Sequence, residues 1–445
     1  MEDPDFDEEV KGTNEIIEDI PENLGKKMDV HYINLFIEKL ESYNNRTIES
    51  ALIDILRIPL NNYLEPKQFP ITFRESILKV FQINHKKIIN LASQFLLSLV
   101  KYNSLFLTQI AGSVLLSILI PKLEDFANDE KTLFYLLELC SWYTTSNPIT
   151  QTAYQKDVAQ ILIKHYDLSH SKILNFLLII SSSKYFVCFE EEEQILTICS
   201  SIAFADNRPP IEEIDYSLRI MEKIIKKNPT SNFVTFLENK NDLFKPISLI
   251  TESQLVLDSS LLFYMTISEI SDAISKMILD EKILEKFIES IQPDNLPIFK
   301  RFIFSVAQTD RCNTCTAICN NKMIEIIKLG YELNADIRFA SIYILCFILC
   351  EVSDYNVAMA VFSDSEITEF LNTLYGCGFS DLFGAVIRSV NILYERGKNQ
   401  KNSEEFYQFI KSDELLSEAN EIASNENSKY YKDAIFFTEI YDQID

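Results

Sequence analysis

The sequence predicts an all-α protein built as an array of short helices stacked side by side. Three observations carry that expectation. Glycine is scarce, with eight residues in 445, at positions 12, 25, 112, 330, 376, 378, 384 and 397, whereas sheets need glycine in their turns and bulges. Apolar residues recur at helical spacing along almost the whole chain, and no run alternates long enough to demand a sheet; 184–189 comes nearest and is short. Lastly, the run Phe339-Ala-Ser-Ile-Tyr-Ile-Leu-Cys-Phe-Ile-Leu-Cys350 is apolar on every side. A helix without a polar face must be covered all round, so neighbours are expected on both of its flanks.

The helices follow in order. After residues 1–28, apolar spacing predicts helices over 29–43 and 47–58, the second meeting Pro59. Segments 72–82, 85–101 and 104–120 come next, the last stopped by Pro121, and 130–143 and 149–166 flank the turn Ser146-Asn147-Pro148. Segments 171–181 and 190–203 lead to Pro209-Pro210, a loop and then a helix start. The helix over 211–227 closes with Lys223, Lys226 and Lys227, where positive charge suits the dipole. Shorter segments fall at 232–238, 243–250, 254–267, 271–279, 282–291, 296–308 and 312–319. The helix at 323–329 is expected to stop at Gly330 in a left-handed turn, and Asn334 to cap the next, with Asp336 in its first turn. Segments 366–374, 382–395, 404–411, 415–423 and 429–441 complete the chain.

A chain of 445 residues is too long for one compact core and suits either two or three domains or one long repeat array. Hydrophobic residues make up 47%, enough for a large core. The formal charge, 41 − 66 = −25, excludes general nucleic-acid binding, which needs a basic face, and suits a basic protein partner. Residues 1–27 hold ten acidic and three basic residues and no long apolar face, so 1–28 is expected to be a disordered acidic tail, or a short acidic-hydrophobic docking motif carrying Phe6, Val10, Ile16, Ile17 and Ile20. Nine cysteines and an acidic Met-Glu-Asp-Pro-Asp start point to reduced thiols in the cytoplasm, or in the nucleus. The uncharged stretch 102–121 carries Asn103, Thr108, Gln109, Ser113 and Ser117 and ends in proline, so it reads as a buried helix and no membrane association is expected.

Some helices repeat as a unit, in which a turn leads to a small residue and then an apolar run. The turn after Leu329 leads to Ala340, Gly376-Cys-Gly378 to Ala385, Asn103 to Ala111, and Asn147-Pro148 to Ala153. Ala340 to Ala385 is 45 residues and Ala111 to Ala153 is 42, within the range of roughly 40–47 for stacked helical repeats. In this pattern the domain 29–445 resembles the armadillo-like and HEAT-like helical-repeat superfamily, with irregularity around 204–320. The resemblance implies a right-handed α-solenoid of helix pairs and triplets acting as a binding scaffold. The importin-α branch uses a ladder of Trp and Asn; here Trp142 is the single tryptophan and Ser146 stands four residues on, so that ladder is missing.

Candidate chemistry is sparse. Cys312-x-x-Cys315-x-x-x-Cys319 has spacing that would start a zinc or iron–sulfur site, but no fourth ligand lies nearby, and the same spacing is one stripe of a helix, which reads as core. Cys346 and Cys350 receive the same core reading. His165-x-Asp167-x-x-His170 straddles a helix end, where histidine meets terminal carbonyls; His31 and His85 stand alone. Glu190–Glu193 compensates a helix dipole. The basic pairs Lys86-Lys87, Lys226-Lys227 and Lys300-Arg301 sit among acids, and Trp142-Tyr143 reads as core before it reads as a peptide anchor. Phosphate-loop, serine-elbow, zinc-protease and kinase signatures are absent from the sequence. No catalytic, cofactor-binding or metal residue is therefore assigned. The expected function is a non-enzymatic protein-interaction scaffold or adaptor for basic or extended segments. The alternatives are a nucleocytoplasmic transport-type receptor and, from another class, a helical metal-binding protein or enzyme using the 312–319 cysteines.

Overall fold

A computed structural model describes residues 29–58, 69–102, 112–126, 129–146, 159–161, 163–164, 170–182, 192–229, 232–240, 242–363, 380–397 and 404–443. Residues 1–28, the turns at Asn103, Asn147-Pro148 and 376–378, Ala111, Ala153 and the predicted helix 366–374 lie outside them. Among the described residues every regular element is helical, and none of the helices is long and apolar enough to cross a membrane.

The chain falls into two compact units, Met1–Ile195 and Leu196–Asp445. The first holds α1 (Val30–Leu40), α2 (Asn45–Leu56), α3 (Ile71–Gln82), α4 (Lys86–Tyr102), α5 (Gly112–Asp125), α6 (Glu130–Ser146) and α7 (His170–Ser182). Helices α2, α4 and α6 form one row and α1, α3 and α5 the other. Between the rows, the ring of Phe95 meets Phe36 at 5.4 Å and Phe73 at 6.1 Å, both edge-on. Burying each ring contributes about 1.5–3 kcal/mol, and the edge-on geometry fixes how the rows pack.

In the second unit, α8 (Glu192–Ala203) precedes α9 (Ile211–Lys227), α10 (Asn232–Glu238), α11 (Gln254–Ser268), α12 (Asp272–Asp280), α13 (Ile283–Ser290), α14 (Leu296–Thr309), α15 (Arg311–Ile318), α16 (Asn321–Gly330), α17 (Ala335–Glu351), α18 (Tyr355–Phe362), α19 (Ser380–Gly397), α20 (Glu404–Ile410), α21 (Asp413–Ala423) and α22 (Tyr431–Gln443). Six of these stack in one row, α9–α11–α14–α17–α19–α22. Helix α17, apolar all round, is flanked in that row by α14 and α19 and backed by α15, α16 and α18, as its lack of a polar face requires. Helices α10, α12, α13 and α15 are short, seven, nine, eight and eight residues, which makes repeat spacing hard to read between 204 and 320.

Side-chain caps place many of the starts. Asn334 Oδ1 accepts from the amide of Ile337 at 3.1 Å, Asn320 Oδ1 from Met323 at 2.9 Å, and Asp310 Oδ1 from Asn313 at 3.0 Å. Ala340 and Ala385 are buried in the row, where a small side chain permits close approach.

Four expectations need correction. Gly330 does not end α16 in a left-handed turn: it is the last helical residue, and Tyr331, right-handed, follows as the cap. Its role is close packing, since a Cβ there would lie 2.9 Å from Leu296 Cδ1 and still closer to the Ser341 hydroxyl. Pro121 does not stop a helix but lies inside α5, on an exposed face; the chain continues to Asp125. Residues 245–249 form a 3-10 turn instead of an α-helix, with Pro246 near its start. Helix α18 was not anticipated, although Tyr355, Ala358, Met359 and Phe362 bury one face at helical spacing after the Asp354 cap.

Candidate functional site

Among the described residues, the row α9–α22 carries polar contacts between several of its helices. Printed contacts aside from electrostatics join three of its five steps: Asn295 with Asp258 between α11 and the start of α14, Lys300 with the Tyr343 ring between α14 and α17, and Asn391 with the Asp433 carbonyl between α19 and α22. On α9, Arg219 Nε donates to Asp215 at 3.0 Å, and its guanidinium also acts on Asp258 of α11. Asp258 Oδ1 accepts from Gln254 Nε2 and from Asn295 Nδ2, both at 2.9 Å, which ties α11 to the turn opening α14. On α14 the Lys300 ammonium lies 5.2 Å from the ring centre of Tyr343 on α17 and feels Asp336. Tyr343 in turn feels Asp381 of α19. On α19, Asn391 Nδ2 donates to the Asp433 carbonyl of α22 at 2.7 Å, and Arg388 acts on the Asp433 carboxylate. In the first unit, Asn90 Nδ2 donates to Thr132 Oγ1 at 3.2 Å and Gln94 Nε2 to Asn90 Oδ1 at 2.6 Å, beside the ion pair Lys101–Glu138 at 2.7 Å. Asn90–Thr132 and Asn391–Asp433 both span 42 residues, and Asp258–Asn295 spans 37.

The electrostatics are set by partial burial. Burial raises the carboxyls of Asp215, Asp258 and Asp433 above their ordinary range, opposed by Arg219 for the first two and by Arg388 for the third. Burial lowers the Lys300 ammonium, helped by neighbouring Arg301. The Tyr430 phenol, beside Tyr343 and Asp381, is pushed up to about 12, first by burial. Both tyrosines therefore stay protonated at neutral pH and can donate hydrogen bonds. Lys429 bridges to Asp381 at 3.3 Å and lies 5.0 Å from the ring centre of Tyr430. Asp215, Asn295 and Asn391 are buried, so these groups bond mainly from helix to helix.

The cysteine stripe does not survive folding as one surface. Cys312 is exposed in the first turn of α15, with Sγ 3.5 Å from Ser353 Oγ; Cys315 is buried, with Sγ 3.7 Å from the Ile348 carbonyl; Cys319 lies beyond the helix end. The core reading holds for Cys315 and fails for Cys312, which lies about 60° round the helix from Cys315, in its exposed first turn. Burial pushes Cys315 up to about 12. No group of three His, Cys, Asp or Glu side chains among the described residues is arranged to hold a metal. Cys346 is buried, while Cys350 is half-buried with Sγ 3.3 Å from Ser389 Oγ.

Of the histidines, His31 is exposed on α1, and His85 Nδ1 stands 3.7 Å from Glu49, which Lys87 already pairs at 2.8 Å. His170 opens α7, and His165 lies outside the described residues. Glu192 and Glu193 occupy the first turn of α8, as the dipole favours. Lys86 pairs with Asp129 at 2.9 Å and Arg301 with Glu269 at 3.6 Å, so the basic pairs are matched by acids. Trp142 is half-buried on α6. The row contacts were missed in the sequence because their members are ordinary polar residues; the signal available was the recurrence of an acid or amide near the start of each row helix, at 215, 258, 295, 336, 381 and 433.

No protein-family profile matches the sequence, and no curated protein matches it. Solved structures do. An engineered protein superposes with a TM-score of 0.68 over 92% of this chain and 99% of its own, at 14% identity. A structure of Kap95p, yeast importin-β, in which its binding switches the loops of RanGDP, gives 0.58 at 10% identity, over 93% of this chain and 53% of that one. This chain thus spans about half of Kap95p. A β-catenin structure concerning its interaction with cadherin gives 0.52 at 9% identity, over 93% and 91%. The chain has an all-α, armadillo/HEAT-like helical-repeat fold.

Proposed function

We propose that the chain is a non-enzymatic scaffold or adaptor that holds a basic or extended segment of a partner protein along the α9–α22 row, in the cytoplasm or the nucleus. The observation that carries this reading is the row of six stacked helices, α9–α22, a continuous surface of the kind stacked repeats offer a partner. Stacked repeats give a long binding surface. The net charge of −25 favours Lys/Arg-rich partners and makes their binding fall with salt. Kap95p with RanGDP and β-catenin with cadherin use this fold to bind proteins.

The test is fluorescence anisotropy with a labelled Lys/Arg-rich peptide and a Glu-rich peptide of equal length, at low and high salt. The reading requires tighter binding of the basic peptide, weakening with salt, and loss of that preference in Asp381→Lys/Asp433→Lys. Equal binding of both peptides, or none, refutes it.

A further inference from the structure

The thiols of Cys312 and Cys315 are reactive groups that the scaffold reading leaves unused. Among the described cysteines Cys312 alone is exposed, while Cys315, one turn further along α15, is buried. Both sulfurs touch the end of α17: Cys312 Sγ lies 3.5 Å from Ser353 Oγ, and Cys315 Sγ donates to the Ile348 carbonyl at 3.7 Å. An oxidant in solution can therefore meet Cys312, whereas Cys315 is shielded from solvent and has Cys312 as its neighbour one turn away. Cβ atoms three residues apart on a helix are about 5–6 Å apart, and a disulfide holds them at about 3.5–4.5 Å. Closure thus needs a local tightening of roughly 1–2 Å. A helix interior resists that, but Cys312 is the second residue of α15. The amides of a first turn have no partner within the helix, and a 3-10 turn there eclipses side chains three apart.

The other described pairs lack this combination. Cys319 is half-buried and stands seven residues from Cys312, about 10 Å along the helix axis. Cys346 and Cys350 are four apart within α17, and neither is exposed. We propose that Cys312 and Cys315 are a redox-responsive pair that closes reversibly to a disulfide, with a low-molecular-weight disulfide of the glutathione class as oxidant. The Cys312 sulfur attacks that disulfide, keeps one half as a mixed disulfide and releases the other as a thiol. The Cys315 sulfur then attacks the Cys312 sulfur, forms the internal bond and releases the second half, each proton passing to the departing sulfur. Two protein thiols are oxidised, and one small disulfide is reduced to two thiols. Burial, which pushes the Cys315 thiol up to about 12, makes Cys312 the first to react. Closure also removes the S–H that Cys315 donates to Ile348, so the α15–α17 contact differs between the two states. The inference is independent of the scaffold reading.

The test equilibrates the full chain in glutathione buffers from reducing to oxidising, blocks free thiols with iodoacetamide in denaturant and maps the tryptic peptide 312–322, which holds Cys312, Cys315 and Cys319. The oxidised protein should give this peptide with an internal disulfide between Cys312 and Cys315 and only Cys319 alkylated. Dithiothreitol should restore alkylation of all three. In Cys315→Ala the reaction should stop after its first step, with glutathione retained on Cys312, and in Cys312→Ser the Cys315 thiol should stay free. The parent map uses no variant, so it decides the matter even where a substitution disturbs folding. A parent that retains glutathione on Cys312, joins Cys315 to Cys319, links two copies or keeps all three thiols free throughout overturns the proposal.

Discussion

The ring of Tyr430 lies directly against the bare Cα of Gly384: a Cβ on that glycine would be 2.7 Å from Tyr430 Cβ and closer still to the ring. The turn before α22 is thereby seated on the backbone of α19, bringing the Tyr430 phenol beside Tyr343 and Asp381. Gly384→Ala is expected to destabilise the second unit by about 1–3 kcal/mol, as overpacking does. Urea unfolding checks this, and G384A/Y430A should lose less than the sum of the two single changes.

Tyr264 is fully buried, and its hydroxyl donates to the Leu243 carbonyl at 2.7 Å. Tyr264→Phe keeps the ring but leaves that carbonyl without its donor. A loss of about 1–3 kcal/mol is expected, whereas a variant as stable as the parent would show that the bond contributes nothing net.

Asp258 is raised above 3.8 by burial, against the pull of Gln254, Arg219 and Asn295. A carboxyl raised on folding contributes stability in its protonated form. That contribution is complete below 3.8 and is lost as pH rises through the folded value. Asp258→Asn, which keeps an oxygen for Gln254 and Asn295, should therefore gain on the parent between about pH 4 and 7. Melting both proteins across that range checks the sign; a gap that narrows or reverses with rising pH contradicts it.

Burial pushes the thiols of Cys140, Cys199, Cys315 and Cys346 up to about 12, while Cys312 is exposed. At pH 8 roughly one in ten thousand of such buried thiols is thiolate. Iodoacetamide on native protein should label Cys312 ahead of all four, read by peptide mapping. Early labelling of Cys315 would mean that α15 does not pack against α17 as described.

Much of the fold was legible because burial imposes a period. Helix α9 begins and ends where spacing and its lysines put it, and α17 announced its own enclosure by lacking a polar face. Asn334 was readable as a cap because a short amide before an apolar run has few other uses. What failed were residues whose effect depends on neighbours. Gly330 reads as a terminator alone but as a packing gap once Ser341 and Leu296 are beside it. Pro121 reads as a stop, yet its ring sits on an exposed face of a helix that continues. Cys312 and Cys315 share a stripe on paper and different surroundings in the fold.

The sequence by itself determined that helices form, roughly where they start, and that they must stack, since apolar periodicity and caps are local and no single helix here can hide its own apolar surface. Only the tertiary structure decided which helices share a row, which polar groups meet across it and which cysteines reach solvent. Those depend on contacts between residues about forty positions apart, and no local rule ranks one such pairing above another.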